Sequence, residues 1–190
     1  MACEGAPRSK PPPYDSRHFI FDFIFRVRGL ITRSAIAVAM SSMRGLVQFI
    51  ADLRNARARE LEEKRVNKEL ANIRQKFKSG NLNGYQKKKY VCKLLYVYIQ
   101  GYDVDFGHLE AVNLISSSKY SEKQIGYLAV TLFLHEEHEL LHLVVNSIRK
   151  DLLDHHELNN CLALHAVANV GGRELGEALG SEVHRLLISP

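Results

Sequence analysis

From Met43 onward, apolar residues recur with helical spacing. In "MRGLVQFIADLRNA" the residues Leu46, Phe49, Ile50 and Leu53 fall at i, i+3, i+4 and i+7, a single apolar stripe. "ELEEKRVNKELANIRQKF" sends Leu61, Leu70, Ile73 and Phe77 inward and sets Glu60, Lys64 and Lys68 at i, i+4 intervals along a polar face. "SGNLNG" reads as a loop by composition. Further helices are predicted over 85–100, 106–116, 122–134, 139–153, 158–170 and 174–188. Gly101 and Gly171 stand where helices should stop. Ser121, three residues before Gln124, suggests a capping box. No alternating strand pattern occurs in this stretch.

The helical pattern repeats weakly. "QIGYLAVTLFL" and "NCLALHAVANV" are small, apolar helices lying about 37 residues apart, inside the range of helical-repeat arrays. Each precedes a more amphipathic partner, "HELLHLVVNSIRKDL" and "RELGEALGSEVHRLL". The expected fold of 43–190 is therefore all-α: a right-handed α-solenoid of HEAT/armadillo-like helix pairs, with the all-round apolar helices between neighbours. The apolar "HRLLIS" near the end leads to the expectation that the array continues and that its last face is adhesive.

Residues 1–42 differ. "PRSKPPPYDSRH" is Pro-rich, and "FIFDFIFRVRGLITRSAIAVAM" is apolar but broken by Asp22, Arg26, Arg28 and Arg33. A spanning helix needs roughly 20 nearly uninterrupted apolar residues. A secretory signal places its charges before the apolar core. Glu4, Asp15 and Asp22 weaken a mitochondrial presequence. This segment is unassigned, read as a disordered extension or an upstream start ahead of Met43. Across all 190 residues, 46% are hydrophobic, enough for a sizeable core. Cys3, Cys92 and Cys161 are three, widely spaced and without metal-like intervals, which suits a reduced, intracellular chain.

Charge changes the picture more than composition does. The net +5 hides a block from Arg54 to Lys93 with 13 Lys/Arg against four Glu, and an acidic remainder from Leu94 with six Lys/Arg against 13 Asp/Glu. A basic block beside an acidic one points to an anionic partner on one region alone.

The sharpest catalytic motif is "HELLH", His138-Glu139-Leu140-Leu141-His142. It matches the zinc-hydrolase pattern of two imidazoles on one helix face with a Glu as general base. No third ligand stands at a standard spacing: His135 lies upstream, and His155 and His156 fall in a predicted loop. A zinc hydrolase is therefore the weaker alternative, and about one tightly held zinc per chain would favour it. Cys92 and Cys161 have no triad context, and Cys92 reads as core. "GNLNG" lacks the Lys-Ser/Thr ending of a phosphate loop. No nucleic-acid motif accompanies the basic block.

"GYQKKKYVCKLLYVYIQG" poses the question that leads to function. Three lysines sit at the start of an apolar helix, where the helix dipole disfavours cations. Advancing roughly 100° per residue places Tyr85, Lys89, Lys93, Tyr96 and Gln100 in one polar-aromatic stripe. Val91, Leu94, Leu95 and Tyr98 then form the opposite, buried face. Lys87 and Lys88 can curl round the helix end. Lysines, tyrosines and the free N–H groups of a helix N-terminus together make a pocket for a phosphorylated headgroup.

"NKELANIR", "KKKYVCKLL", "DFGHLEAVNL", "EKQIGYL" and "CLALHAVANVGGREL" resemble the N-terminal trunk of the alpha-adaptins, from Met43 to about Ile188. These are large subunits of the plasma-membrane clathrin adaptor complex. The resemblance implies a non-enzymatic coat adaptor without a cofactor. It implies assembly with small, medium and beta large subunits, indirect contact with clathrin, and no nucleic acid. It implies a location on the cytosolic face of the plasma membrane, in clathrin-coated pits. It also implies a phosphatidylinositol 4,5-bisphosphate site at Arg44, Gly45, Lys76, Tyr85, Lys89, Tyr90 and Lys93, with Lys87 and Lys88 beside them. Arg54 matches a position that helps read dileucine cargo signals. The family's trunk is several times longer than this chain, so a truncated trunk is expected. "EEHELLHLV" departs from the family pattern, which counts against a zinc role for "HELLH".

Overall fold

The computed structural model describes residues 43–188, and within them eight helices and no strand. In chain order these are α1 (Arg44–Arg54), α2 (Arg59–Lys78), α3 (Gly84–Ile99), α4 (His108–Ile115), α5 (Tyr120–Phe133), α6 (Leu141–Leu152), α7 (Glu157–Val170) and α8 (Arg173–Ile188). Residues 1–42, with their expected extension, lie outside the described part.

Packing follows a simple rule. Each helix makes its main contacts with the next helix and the next but one: α3 on α1, α2, α4 and α5, α5 on α7, and α6 on α7 and α8. That nearest-neighbour order is what a HEAT-like α-solenoid requires. The starts of α5 and α7, Tyr120 and Glu157, are 37 positions apart, as the repeat suggested.

One hydrophobic core runs the length of the array. Met43, Leu46 and Phe49 from α1 and the residue before it are fully buried, as are Val66 and Ile73 of α2, Val91, Leu94 and Val97 of α3, Leu141, Val144 and Ile148 of α6, and Leu179 of α8. Each such side chain contributes about 1.5–3 kcal/mol on leaving water. The i, i+3, i+7 stripe of α1 is therefore the buried one, with Ile50 at its margin. In α2 Ile73 is buried and Leu70 and Phe77 pack against the core as expected, and only Leu61 departs. Leu61 is 57% exposed, and Val66, Glu69 and Ile73 take the inward positions. Within the first turn of α2 Glu62 still accepts from the Tyr102 hydroxyl at 3.0 Å, while Leu61 faces solvent.

Gly101 and Gly171 do end helices, with φ of 89° and 66°. The predicted Ser121–Gln124 box does not form. α5 begins two residues earlier than that box requires, with Lys119 at its N-cap and no side-chain cap bond, and Gln124 is buried instead. The capping box lies within the segment read as loop. Asn83 Oδ1 accepts from the Gln86 N–H at 2.8 Å, and Gln86 Oε1 accepts from the Asn83 N–H at 3.1 Å.

α4 and α5 approach most closely at Gly126. A Cβ there would lie 2.7 Å from the Ile115 backbone nitrogen. Gly126→Ala must push two backbones apart, and a loss of about 1–3 kcal/mol is expected from such overpacking. The check is the urea midpoint, which should fall with the far-ultraviolet spectrum unchanged. An unchanged midpoint would show that the two helices separate freely.

Candidate functional site

α3 is the central helix of the first half, and this alters the sequence reading of it. Every residue from Tyr90 to Val97 is buried, including Lys93 (7% exposed) and Tyr96. Tyr98, assigned to the buried face, is 41% exposed. Of the supposed polar stripe, Tyr85, Lys89 and Gln100 keep access to solvent, and Lys93 and Tyr96 do not. Neighbouring helices cover these two, so no wheel drawn on α3 alone could find the open side.

Lys93 has an internal role. Its Nζ lies 2.5 Å from Glu69 Oε1, with both side chains 8% exposed. Glu69 Oε2 accepts from Arg65 Nη1 at 2.8 Å, Arg65 Nε donates to Asp52 Oδ2 at 3.1 Å, and Gln48 Nε2 donates to Asp52 Oδ1 at 2.8 Å. The guanidinium of Arg65 and the ammonium of Lys93 both stand over the Phe49 ring, at 4.9 and 5.4 Å. This network ties α1, α2 and α3 together. Burial pushes the Glu69 carboxyl upward, but its bonds to Lys93 and Arg65 outweigh that and hold it below the ordinary range. The Gln48 bond, then Arg65, depresses Asp52 likewise. Glu69 was missed in the sequence, although its place between Val66 and Ile73 on one helical face marked it as inward.

The start of α3 is also committed internally. Besides the Asn83 cap, the carboxylate of Glu122 from α5 lies against Gly84, so close that a Cβ at Gly84 would overlap it. Ser117 Oγ donates to Glu122 Oε2 at 2.7 Å. A carboxylate at a helix N-terminus satisfies the dipole, so the internal anion stands where a bound phosphate was anticipated. Lys88 is 6% exposed, 3.4 Å from Ser121 Oγ and over the Tyr85 ring at 5.8 Å.

An exposed cationic surface lies beside this. Gly45 at the start of α1 faces the Lys89 side chain, so that a Cβ placed there would lie 3.9 Å from Lys89 Cδ. Lys89 Nζ stands 4.8 Å from the centre of the Tyr90 ring, and that ring meets Phe77 edge-on at 6.1 Å. The contacts bring together the N-termini of α1 and α3 and the C-terminus of α2. Arg44 and Lys76 are exposed next to Gly45 and Phe77, Tyr85 is 43% exposed, and Lys87 is half-buried. Arg44 and Lys76 form no ion pair among the described residues. Arg54 closes the opposite end of α1, roughly 15 Å away along the axis. The structure does not bring it to the cluster. A polar cleft of about 400 Å³ lined by Arg59, Glu63, Asn67, Gln100, Gly101 and Tyr102 also lies at that far end.

The remaining chemical candidates dissolve on inspection. His138 and Glu139 precede α6, and only His142 lies within it, exposed. His138 Nδ1 accepts from the Leu140 N–H at 3.1 Å, so "HELLH" does not present two imidazoles on one helix face. Among the described residues no group of three or more His, Cys, Asp or Glu is placed to hold a metal ion. Burial pushes the Cys92 thiol up to about 12, which leaves it protonated and inert.

A helical-repeat scaffold with one cationic end is what these observations define. The chain belongs to the adaptin family: the profile of the adaptin N terminal region matches residues 62–190. It is 54% identical over 153 residues to the AP-2 complex subunit alpha-2 of Dictyostelium discoideum, which covers 80% of this chain and 16% of that protein. It is 58% identical over 152 residues to the AP-2 complex subunit alpha of Schizosaccharomyces pombe, again 80% of this chain and 17% of the relative. To the mouse AP-1 complex subunit gamma-like 2 the identity is 35% over 145 residues, 76% of this chain and 18% of the relative. The resemblance is thus to the alpha type, and the chain spans about one-sixth of the length of these relatives.

Two outcomes test the internal network. Lys93→Met leaves Glu69 buried with only Arg65, and a loss of about 3 kcal/mol in chemical denaturation is expected for breaking such a pair. The second is pH dependence. The folded Glu69 carboxyl titrates below its ordinary 4.5, so the unfolded chain binds that proton first. Its stabilisation is complete above that value and drains away as pH falls through the lower folded value. Glu69→Gln should flatten this acid limb, and an unchanged limb would place the acid sensitivity elsewhere.

Proposed function

We propose that the chain is part of a non-enzymatic membrane-coat adaptor in clathrin-mediated endocytosis and vesicle transport. In this reading Arg44, Gly45, Lys76, Tyr85, Lys87, Lys89 and Tyr90 hold the headgroup of phosphatidylinositol 4,5-bisphosphate at the cytosolic leaflet of the plasma membrane. The observation that carries the reading is the proximity of Gly45 to the Lys89 side chain, which supports one surface built from three helix ends. Lys88 and Lys93 enter as supports: Lys88 beneath Tyr85, and Lys93 as the internal cation that fixes α3 against α2.

Magnitudes favour weak, reversible attachment. Each Lys or Arg near an anionic bilayer contributes about 1 kcal/mol, so the four accessible cations Arg44, Lys76, Lys87 and Lys89 supply about 4 kcal/mol before ordering costs. An adaptor that needs several simultaneous contacts suits that strength. No described helix is long and apolar enough to cross a membrane, and a peripheral attachment asks for none. The alpha-subunit relatives extend the proposal to assembly with small, medium and beta large subunits and, through them, to clathrin. Arg54, exposed at the far end of α1, is free to meet a dileucine-type cargo signal without competing with the lipid.

Vesicle sedimentation tests the lipid site. Vesicles carrying the bisphosphate should bind better than vesicles of matched charge made with phosphatidylserine. Lys89→Glu should abolish the preference, and Tyr90→Phe should weaken it with α-helical content retained. Binding that follows total lipid charge alone would reduce the surface to a non-specific patch. Assembly has its own measurement: a version extended to the full trunk should co-purify with the small subunit, and its failure to do so would sink that part.

A further inference from the structure

The connection between α5 and α6, residues 135–140, carries a feature that the anion surface does not use. The imidazole of His138 lies edge-on to two others, His108 of α4 at 5.5 Å and His135 at 5.6 Å between ring centroids. His108 in turn meets Phe133, the last residue of α5, at 5.2 Å. On the other side of the connection, Glu136 packs against Gly172 in the turn between α7 and α8, where a Cβ would come within 2.6 Å of the Glu136 Cβ. Six residues thus touch α4, the end of α5 and the α7–α8 turn at once.

The hydrogen bond at the start of α6 makes the arrangement sensitive to protons. Leu140 is the N-cap residue of α6, and its N–H donates to His138 Nδ1 at 3.1 Å. Nδ1 must be unprotonated to accept, so the imidazole is neutral there with its proton on Nε2. A proton on Nδ1 converts the acceptor to a donor and removes the bond. It also places a cation at a helix N-terminus, where the dipole opposes it, beside two further imidazoles. His108 resists charge as well: burial lowers its proton affinity first, and His138 lowers it further.

The acidic groups nearby do not cancel this. Asp105 and Glu110 favour a proton on His108, but Asp105 is 79% exposed and paired with Arg74. Glu136, Glu137 and Glu139 on the connection are exposed, and from α5 the uncharged Phe133 ring meets His108.

We propose that the 135–140 connection is an acid-responsive hinge, in which proton uptake by His138 opposite His108 and His135 releases the N-terminus of α6. Imidazoles are the side chains that change charge near neutrality. When the bond to Leu140 is lost, the connection swings away from α4 and loosens its contact at Gly172, while the core helices keep their packing.

Amide hydrogen exchange of the full chain reads this directly. Protection of the Leu140 to Leu143 amides, corrected for intrinsic rates, should fall about tenfold between about pH 7.5 and about pH 5.5, with Val91 to Val97 unchanged. His138→Gln offers a neutral acceptor and should remove the pH dependence, whereas the exposed His142→Gln should leave it intact. A uniform loss of protection, or a dependence that survives His138→Gln, overturns the hinge. If that variant does not fold, the unaltered chain still decides. In its NMR titration the His138 ring and the Leu140 amide must move with one midpoint, and separate midpoints refute the coupling.

Discussion

The burial of the middle of α3, from Tyr90 to Val97, is the constraint from which the rest of the first half follows. Neighbouring helices leave Lys93 almost no access to water, so it must be neutralised where it stands. Glu69 does this, and Arg65 and Asp52 complete the compensation. A buried ion pair seldom adds net stability over an apolar pair of equal size. Its effect is to fix register: with Lys93 bound to Glu69, the start of α3 can sit against the end of α2 in only one way. α5 repeats the device one layer on. Lys123 Nζ lies 2.5 Å from Asp151 Oδ1, and the Tyr127 hydroxyl donates to Asp151 Oδ2 at 2.6 Å. Burial and the Asp151 carboxylate push the Tyr127 phenol well above its ordinary range, so it remains a donor.

The exposed cations follow from this register. Lys89 reaches Gly45 and Tyr90 because its neighbours Lys88 and Lys93 are anchored to α5 and α2. The lysine run that looks like one cluster in the sequence is divided by the fold. Lys87 and Lys89 are half-buried and keep access to solvent, and Lys88 is drawn inward. The dipole penalty that made the run puzzling is met by Glu122 and Asn83 rather than by a ligand.

Much of the fold was legible in the sequence. Each helix is carried by its own 3.6-residue pattern, and the spacing of α5 and α7 exposes the repeat. The alpha-adaptin resemblance, resting on "KKKYVCKLL" and "EKQIGYL", is borne out by the adaptin profile and by the AP-2 alpha relatives. What was not legible depends on contacts between helices. The inward turn of Tyr96, which meets Phe49, and the carboxylate of Glu122 against Gly84 are decided by neighbours on other helices far along the chain, which a single-helix pattern does not encode. The "HELLH" motif failed for a local reason: α6 starts after its first histidine, so the spacing that implies one face spans a helix boundary.

Second-neighbour packing has a mechanical consequence. Among the described residues the main contacts join only successive and next-but-one helices, so each junction is braced chiefly by its own neighbours. Its curvature is the accumulated sum of small rotations between successive pairs. A few degrees gained at one junction therefore displace everything beyond it in proportion to distance, as at the tip of a lever. In so long a lever, the stiffness of each junction sets the reach of the whole.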